Sequence, residues 1–249
     1  MTVDKIDYRA VLAELTSIWR SHSSERSIEV RSDLGRPTTP VLIRGLAAHA
    51  VECGQAILVL YKNSLPLPAV PIVRTLMEDA MTAGWLLVDE DAWRSFVSEA
   101  AQKKRTALRE VLEMDPDNTP AAERMAESQQ LLDDLGMPSN NKIQQRFRAL
   151  EGGERLYLMY RAASALSHAE STVVDLYTEV DPRSPVGVVW RDHAAHTNAS
   201  AWIAVAATHL LFALIAWDSC RLERPDQDRL ESIATKLGVR ADFVKRTSL

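Results

Sequence analysis

Only two cysteines, Cys53 and Cys220, occur in 249 residues, far apart and each inside an apolar helical pattern. That spacing offers neither a disulfide framework nor a paired-cysteine metal site, and a reducing cytoplasm is the simplest home for such a chain. Glycine is scarce as well, at 9 residues, which disfavours a loop-rich all-β fold and suits helices. The sequence has no Walker loop, no GxGxxG and no GxSxG. Triphosphate hydrolysis, dinucleotide redox chemistry and α/β-hydrolase chemistry therefore lack their signatures. Positive charge is not in excess. A formal net charge of −5 gives no global attraction to polyanions, so any RNA binding must rest on a local basic patch, and no DNA sequence-reading motif is present. The N-terminal "MTVDKIDYRAVLAEL" has early acidic residues and no uninterrupted apolar core, so a signal peptide is not expected.

What is present is apolar residues at helical spacing almost everywhere, with 46% hydrophobic and 25% charged residues. The reading is all-α: a multi-helix bundle forming a single helical domain over 1–249. A first helix is expected over about 4–21, followed by a polar connection, "SHSSERSIEVRSDLGRPTTP". Thr39 before Pro40 looks like a cap and an N1 proline opening a second helix to about Asn63. "SLPLPAVP" turns the chain, and a third helix runs from about Ala69 to Val88. Residues 91–136 are strongly charged and broken by "MDPDNTP", which predicts a helical hairpin with a solvated face, with Thr119 and Pro120 as cap and N1 proline. The loop "GMPSNNK" and a short helix lead to "EGGERLYLMYRAASALSHAES", expected to be helical throughout. β-Branched runs around a proline turn predict a small β-hairpin excursion near 173–190. "AWIAVAATHLLFALIAW" is apolar on all sides, yet at 17 residues with Thr208 and His209 at its centre it reads as a buried central helix rather than a membrane span. A last helix follows over 226–237, then a polar tail over 239–249.

Polar residues interrupt the apolar text in two places. On a helical wheel, Tyr157, Arg161, Ser164, His168 and Ser171 fall within an arc of about 80° on a helix otherwise rich in Leu, Met and Ala. A buried arginine there would need an anion. In the third helix, Arg74 and Glu78 sit one turn apart on a face shared with Met77, Met81 and Trp85, which suggests a partly buried pair. The expectation is that "VRTLMED" packs against "YRAASALSH", with Glu78 in hydrogen-bonding reach of Arg161, Tyr160, Ser164 or His168. Elsewhere, His193 and His196 with Asp192, joined by His168 or His209, offer metal-ligand types without a supporting motif. No metal or other cofactor is assigned. Lys103, Lys104, Arg105 and Arg109 on the charged hairpin read as a solvated face, with phosphate contact as the less favoured alternative.

Arg161, six intervening residues and His168 on an all-α background resemble the HEPN family (higher eukaryotes and prokaryotes nucleotide-binding), whose motif is an Arg followed after four to six residues by a His. The family motif usually has Asn, Asp or His directly after its Arg, where this chain has Ala162. The resemblance implies a metal-independent endoribonuclease or RNA-binding protein, of the kind found in toxin or antiphage systems, acting as a homodimer. Arg161 and His168 would be its catalytic residues, with Arg74, Glu78, Tyr160 and Ser164 supporting them. In such chemistry the 2′-hydroxyl attacks the adjacent phosphate, a His moves the proton and an Arg stabilises charge on phosphorus. Residues 40–175 are also similar to an uncharacterised group of bacterial helical proteins, through an Arg-x3-Glu helix and a Tyr-Arg-x2-Ser-x3-His helix; that group implies no activity. The alternative is a non-enzymatic module, whose polar stripe lines a ligand pocket or fixes packing against a partner protein.

Overall fold

A computed structural model describes residues 6–22, 28–34, 37–136, 142–195 and 198–247. Ten helices and one two-stranded hairpin are found among them. The most apolar helix, α9 (Ala199–Asp218), lies at the centre, as a helix without a polar face must. Around it pack α1 (Tyr8–Ser21), α2 (Thr38–Lys62), α3 (Pro66–Val88) and α10 (Gln227–Leu237). By length and hydropathy alone α2 and α9 could each cross a membrane, but 61% of the apolar stretch of α9 is buried within the fold. Leu76, Met77, Leu210 and Leu211 are fully buried where α3 and α9 meet, and Trp85, Leu86 and Trp217 continue the core at one end of that pair.

Helix starts follow local chemistry. Asp7 caps α1, its carboxylate accepting from the amides of Arg9 and Ala10 at 3.0 and 3.1 Å. The second helix begins at Thr38, one residue before the expected cap, so Pro40 lies within the first turn, where its missing N–H is not needed. The third helix begins three residues before its expected start: Pro66 and Pro68 occupy its first turn, leaving Pro71 as the interior proline. The charged hairpin comprises α4 (Ala92–Met114) and α5 (Thr119–Leu135); Asn118, not Thr119, caps α5 by accepting from Ala121 N at 3.1 Å.

Two expectations need correction. The helix of the polar stripe, α7 (Gly153–Ala165), stops before His168. Ser167 ends it by bonding back twice, Oγ to Ala163 O at 2.6 Å and N to Ser164 O at 3.0 Å. A separate short helix, α8 (Ser171–Asp175), then leads into the antiparallel pair β1 (Thr178–Val180) and β2 (Val188–Trp190). Residues 239–247 are not a loose polar tail. Val239, Ala241 and Phe243 alternate with exposed residues and pack on the core. That segment binds the connection between α6 (Ile143–Arg148) and α7 through Glu151 N to Val244 O at 3.0 Å and Arg246 N to Ala149 O at 2.8 Å. Residues 248–249 lie outside the described residues, as do 1–5, 23–27 of the first connection and 137–141 of the "GMPSNNK" loop.

Candidate functional site

Arg74 and Glu78 are one turn apart on α3, and Tyr160 and Ser164 one turn apart on α7, so two packed helices bring four polar side chains together. Arg74 donates through Nε to Ser164 Oγ at 2.9 Å and through Nη2 to the Tyr160 hydroxyl at 2.5 Å. That hydroxyl donates onward to Glu78 Oε1 at 2.6 Å, and Glu78 Oε1 lies 2.9 Å from Arg74 Nη2. The guanidinium carbon is also 4.9 Å from the centroid of the Tyr160 ring. Below, Tyr160 stacks on Tyr157 and tilts against the fully buried Phe147. Burial, and then the bond to Glu78, push the Tyr160 phenol up to about 12. It therefore stays protonated at neutral pH and acts as a hydrogen-bond relay, not as a base.

This network forms one wall of a cleft of about 540 Å³ between α3, α4, α6 and α7. Arg146 of α6 forms another wall. Although 8% exposed, it carries a full charge, held by a close ion pair to Glu99 and by donation from Nη1 to Thr82 Oγ1 at 3.2 Å. Its guanidinium lies 5.3 Å from the Trp85 ring centroid and 5.4 Å from that of Phe96. Its Nε finds no hydrogen-bond partner among the described residues. Lys103 reaches Glu99 at 2.6 Å, and Lys142 stands at the mouth. Four cations thus face two carboxylates, Glu78 and Glu99, both already shared with the arginines. The surplus is positive, which suits an anionic group among aromatic walls.

Arg161 and His168 do not join this site. Arg161 is on α7 but exposed, and His168 is exposed in the turn after the helix; neither side chain has a hydrogen bond or ion pair among the described residues. The expectation of one inward stripe fails for two reasons: α7 ends at Ala165, which removes His168 and Ser171 from the wheel, and the buried face of α7 is that of Gly153, Tyr160 and Ala163, which leaves Arg161 exposed with no need of a buried anion. The other metal-ligand types also stay apart. Asp192 and His193 are exposed, His196 is outside the described residues, and His209 is sealed in α9. Lys104 and Arg109 are exposed on the hairpin, while Arg105 hydrogen-bonds Gln129 of α5. Sequence reasoning missed Arg146 and Lys142, which arrive from the short α6 and its approach; Lys103 is solvent-exposed as expected, yet it also lines the cleft through its ion pair with Glu99.

A protein-family model described as "Family of unknown function (DUF5677)" matches residues 41–185, more than half of the chain. The matched stretch includes Arg74, Glu78, Arg146, Tyr160 and Ser164. No curated protein and no solved structure matches.

Proposed function

The chain belongs to the DUF5677 family of unknown function, and on that premise we propose that it is a helical ligand-binding module whose cleft between α3, α4, α6 and α7 takes a small phosphate-bearing molecule. One observation carries this reading: Arg74, fixed from three sides by Ser164, Tyr160 and Glu78, lines the same cleft as Arg146, Lys103 and Lys142. A pre-oriented guanidinium loses little freedom on meeting an anion, and the neighbouring cations add charge. Tyr157 and Tyr160 supply flat apolar surface for the remainder of the ligand.

The ribonuclease reading draws no support from the positions of Arg161 and His168, since no shared helical face aligns them. Among the described residues the cleft holds no histidine and no unoccupied carboxylate to move a proton.

Thermal denaturation with inorganic phosphate and with nucleoside monophosphates tests the proposal. A rise in melting temperature that saturates with ligand, and is reduced in Arg74→Gln and Lys142→Ala proteins, is expected. No shift with any of these probes would overturn it. RNA incubated with the same preparation in EDTA, beside His168→Ala and Arg161→Ala, separates the two readings. Cleavage by the wild type that both variants lose would replace the binding module with an enzyme.

A further inference from the structure

On the flank of α3 turned toward α2 lies a second cluster, separate from the cleft. His49 and Cys53 are one turn apart on α2, and Asp79 comes across from α3. One ligand atom from each lies within 4.8 Å of the others. His49 Nδ1 is 2.8 Å from Asp79 Oδ2, and His49 Nε2 is 4.0 Å from Cys53 Sγ. Cys53 and Asp79 are each 7% exposed, whereas the His49 side chain is 54% exposed, so the cluster is anchored in the core and opens to solvent through the imidazole.

We propose that His49, Cys53 and Asp79 form a three-ligand site for a borderline divalent cation, with zinc as the best match to a sulfur, nitrogen and oxygen donor set. Ligand atoms bound to one zinc ion stand about 2.0–2.3 Å from it, so donors within a few ångströms of one another need only small side-chain rotations to close on it. The half-exposed imidazole is free to turn one nitrogen toward the ion. A thiolate, a carboxylate and a neutral imidazole sum to two negative charges, so the complex with a divalent cation is neutral and suits its buried side. Three protein ligands leave a fourth position open toward solvent.

An independent observation points the same way. Asp79 Oδ2 is buried, and despite the approach of His49 it finds no aligned hydrogen bond among the described residues. Among the described residues this carboxylate has no Lys or Arg ion pair, and Glu78 beside it adds repulsion. Catalysis by the thiol is a poorer fit: Cys53 and His49 lie inside a long α-helix whose amides are already bonded, leaving no donors for a developing oxyanion.

Cobalt is the probe. Chelator-treated full-length protein titrated with Co²⁺ should develop the intense near-ultraviolet thiolate-to-metal band and the visible bands of a four-coordinate ion, and Zn²⁺ should erase them. Cys53→Ser should lose the thiolate band, while His49→Gln and Asp79→Asn should each weaken binding at least tenfold. Absence of the band in the wild type, or its persistence in Cys53→Ser, overturns the proposal. His49 is exposed enough for His49→Gln to fold normally. If Cys53→Ser does not fold, unchanged cobalt affinity in His49→Gln is the overturning result.

Discussion

The hydroxyl of Tyr160 donates to the carboxylate of Glu78 at 2.6 Å, joining α7 to α3 at a point where both groups are partly shielded from water. Removing that hydroxyl leaves Arg74 and Glu78 with each other but without their relay. Tyr160→Phe is expected to cost about 1.5–3 kcal/mol in urea denaturation, the range for a hydrogen bond to a charged group. A double-mutant cycle with Glu78→Gln should give a coupling of at least about 0.5 kcal/mol. Additive single effects would mean that the contact contributes nothing to holding the two helices together.

A pH dependence follows from His209. It sits in α9 at 1% exposure, with Nδ1 bonded to Val205 O at 2.8 Å and Nε2 without a partner among the described residues. Burial pushes its imidazole down to about 4. The unfolded chain takes up a proton near the ordinary value of 6.5, while the folded chain resists it until about pH 4. Stability from this group is thus intact above about pH 6.5, falls as pH drops toward 4, and does not fall further below that. The shift corresponds to a loss of up to about 3 kcal/mol. Urea midpoints measured from pH 7.5 to 4 for wild type and His209→Leu should diverge, with the variant losing less. Parallel curves would remove His209 as the cause.

Much of this architecture was legible before any coordinates. Apolar periodicity marks α2, α3 and α9, and the all-round hydrophobicity of Ala201 to Trp217 places that helix at the centre. Charges set among Met77, Met81 and Trp85 mark Arg74 and Glu78 as partly buried; the contact of α3 with α7 is expected from an inward Arg161 in need of a carboxylate, and it forms instead through Tyr160 and Ser164 while Arg161 stays exposed. The end of α7 was hidden, because no glycine or proline follows Ala165 and the stop is made by serine side-chain bonding at Ser167. Arg146 was hidden for another reason. Its neighbours Thr82, Glu99, Trp85 and Phe96 come from two other helices, and nothing in "IQQRFR" shows that this arginine is the inward one. The His49–Cys53 spacing is visible in sequence, but its third member arrives across α2 and α3, a distance of 26 positions that no local pattern encodes.

The elbow between α6 and α7 offers the sharpest test of how the cleft is held in shape. Gly152 adopts φ +74°, and Gly153 begins α7 directly against the end of α6. A Cβ on Gly153 would lie 1.8 Å from the carbonyl oxygen of Phe147, a backbone atom that cannot swing aside, whereas a Cβ on Gly152 meets open space. Gly152→Ala should therefore cost only the left-handed backbone penalty, about 1–2 kcal/mol. Gly153→Ala must push α6 and α7 apart and is expected to cost at least about 2–3 kcal/mol. The two also differ in function. Arg146 and Tyr160 stand on opposite sides of this elbow, so the Gly153 variant should lose phosphate-dependent stabilisation where the Gly152 variant keeps it. Melting curves of both proteins with and without phosphate give the answer, and equal ligand responses would mean that the elbow does not set the spacing of the cleft.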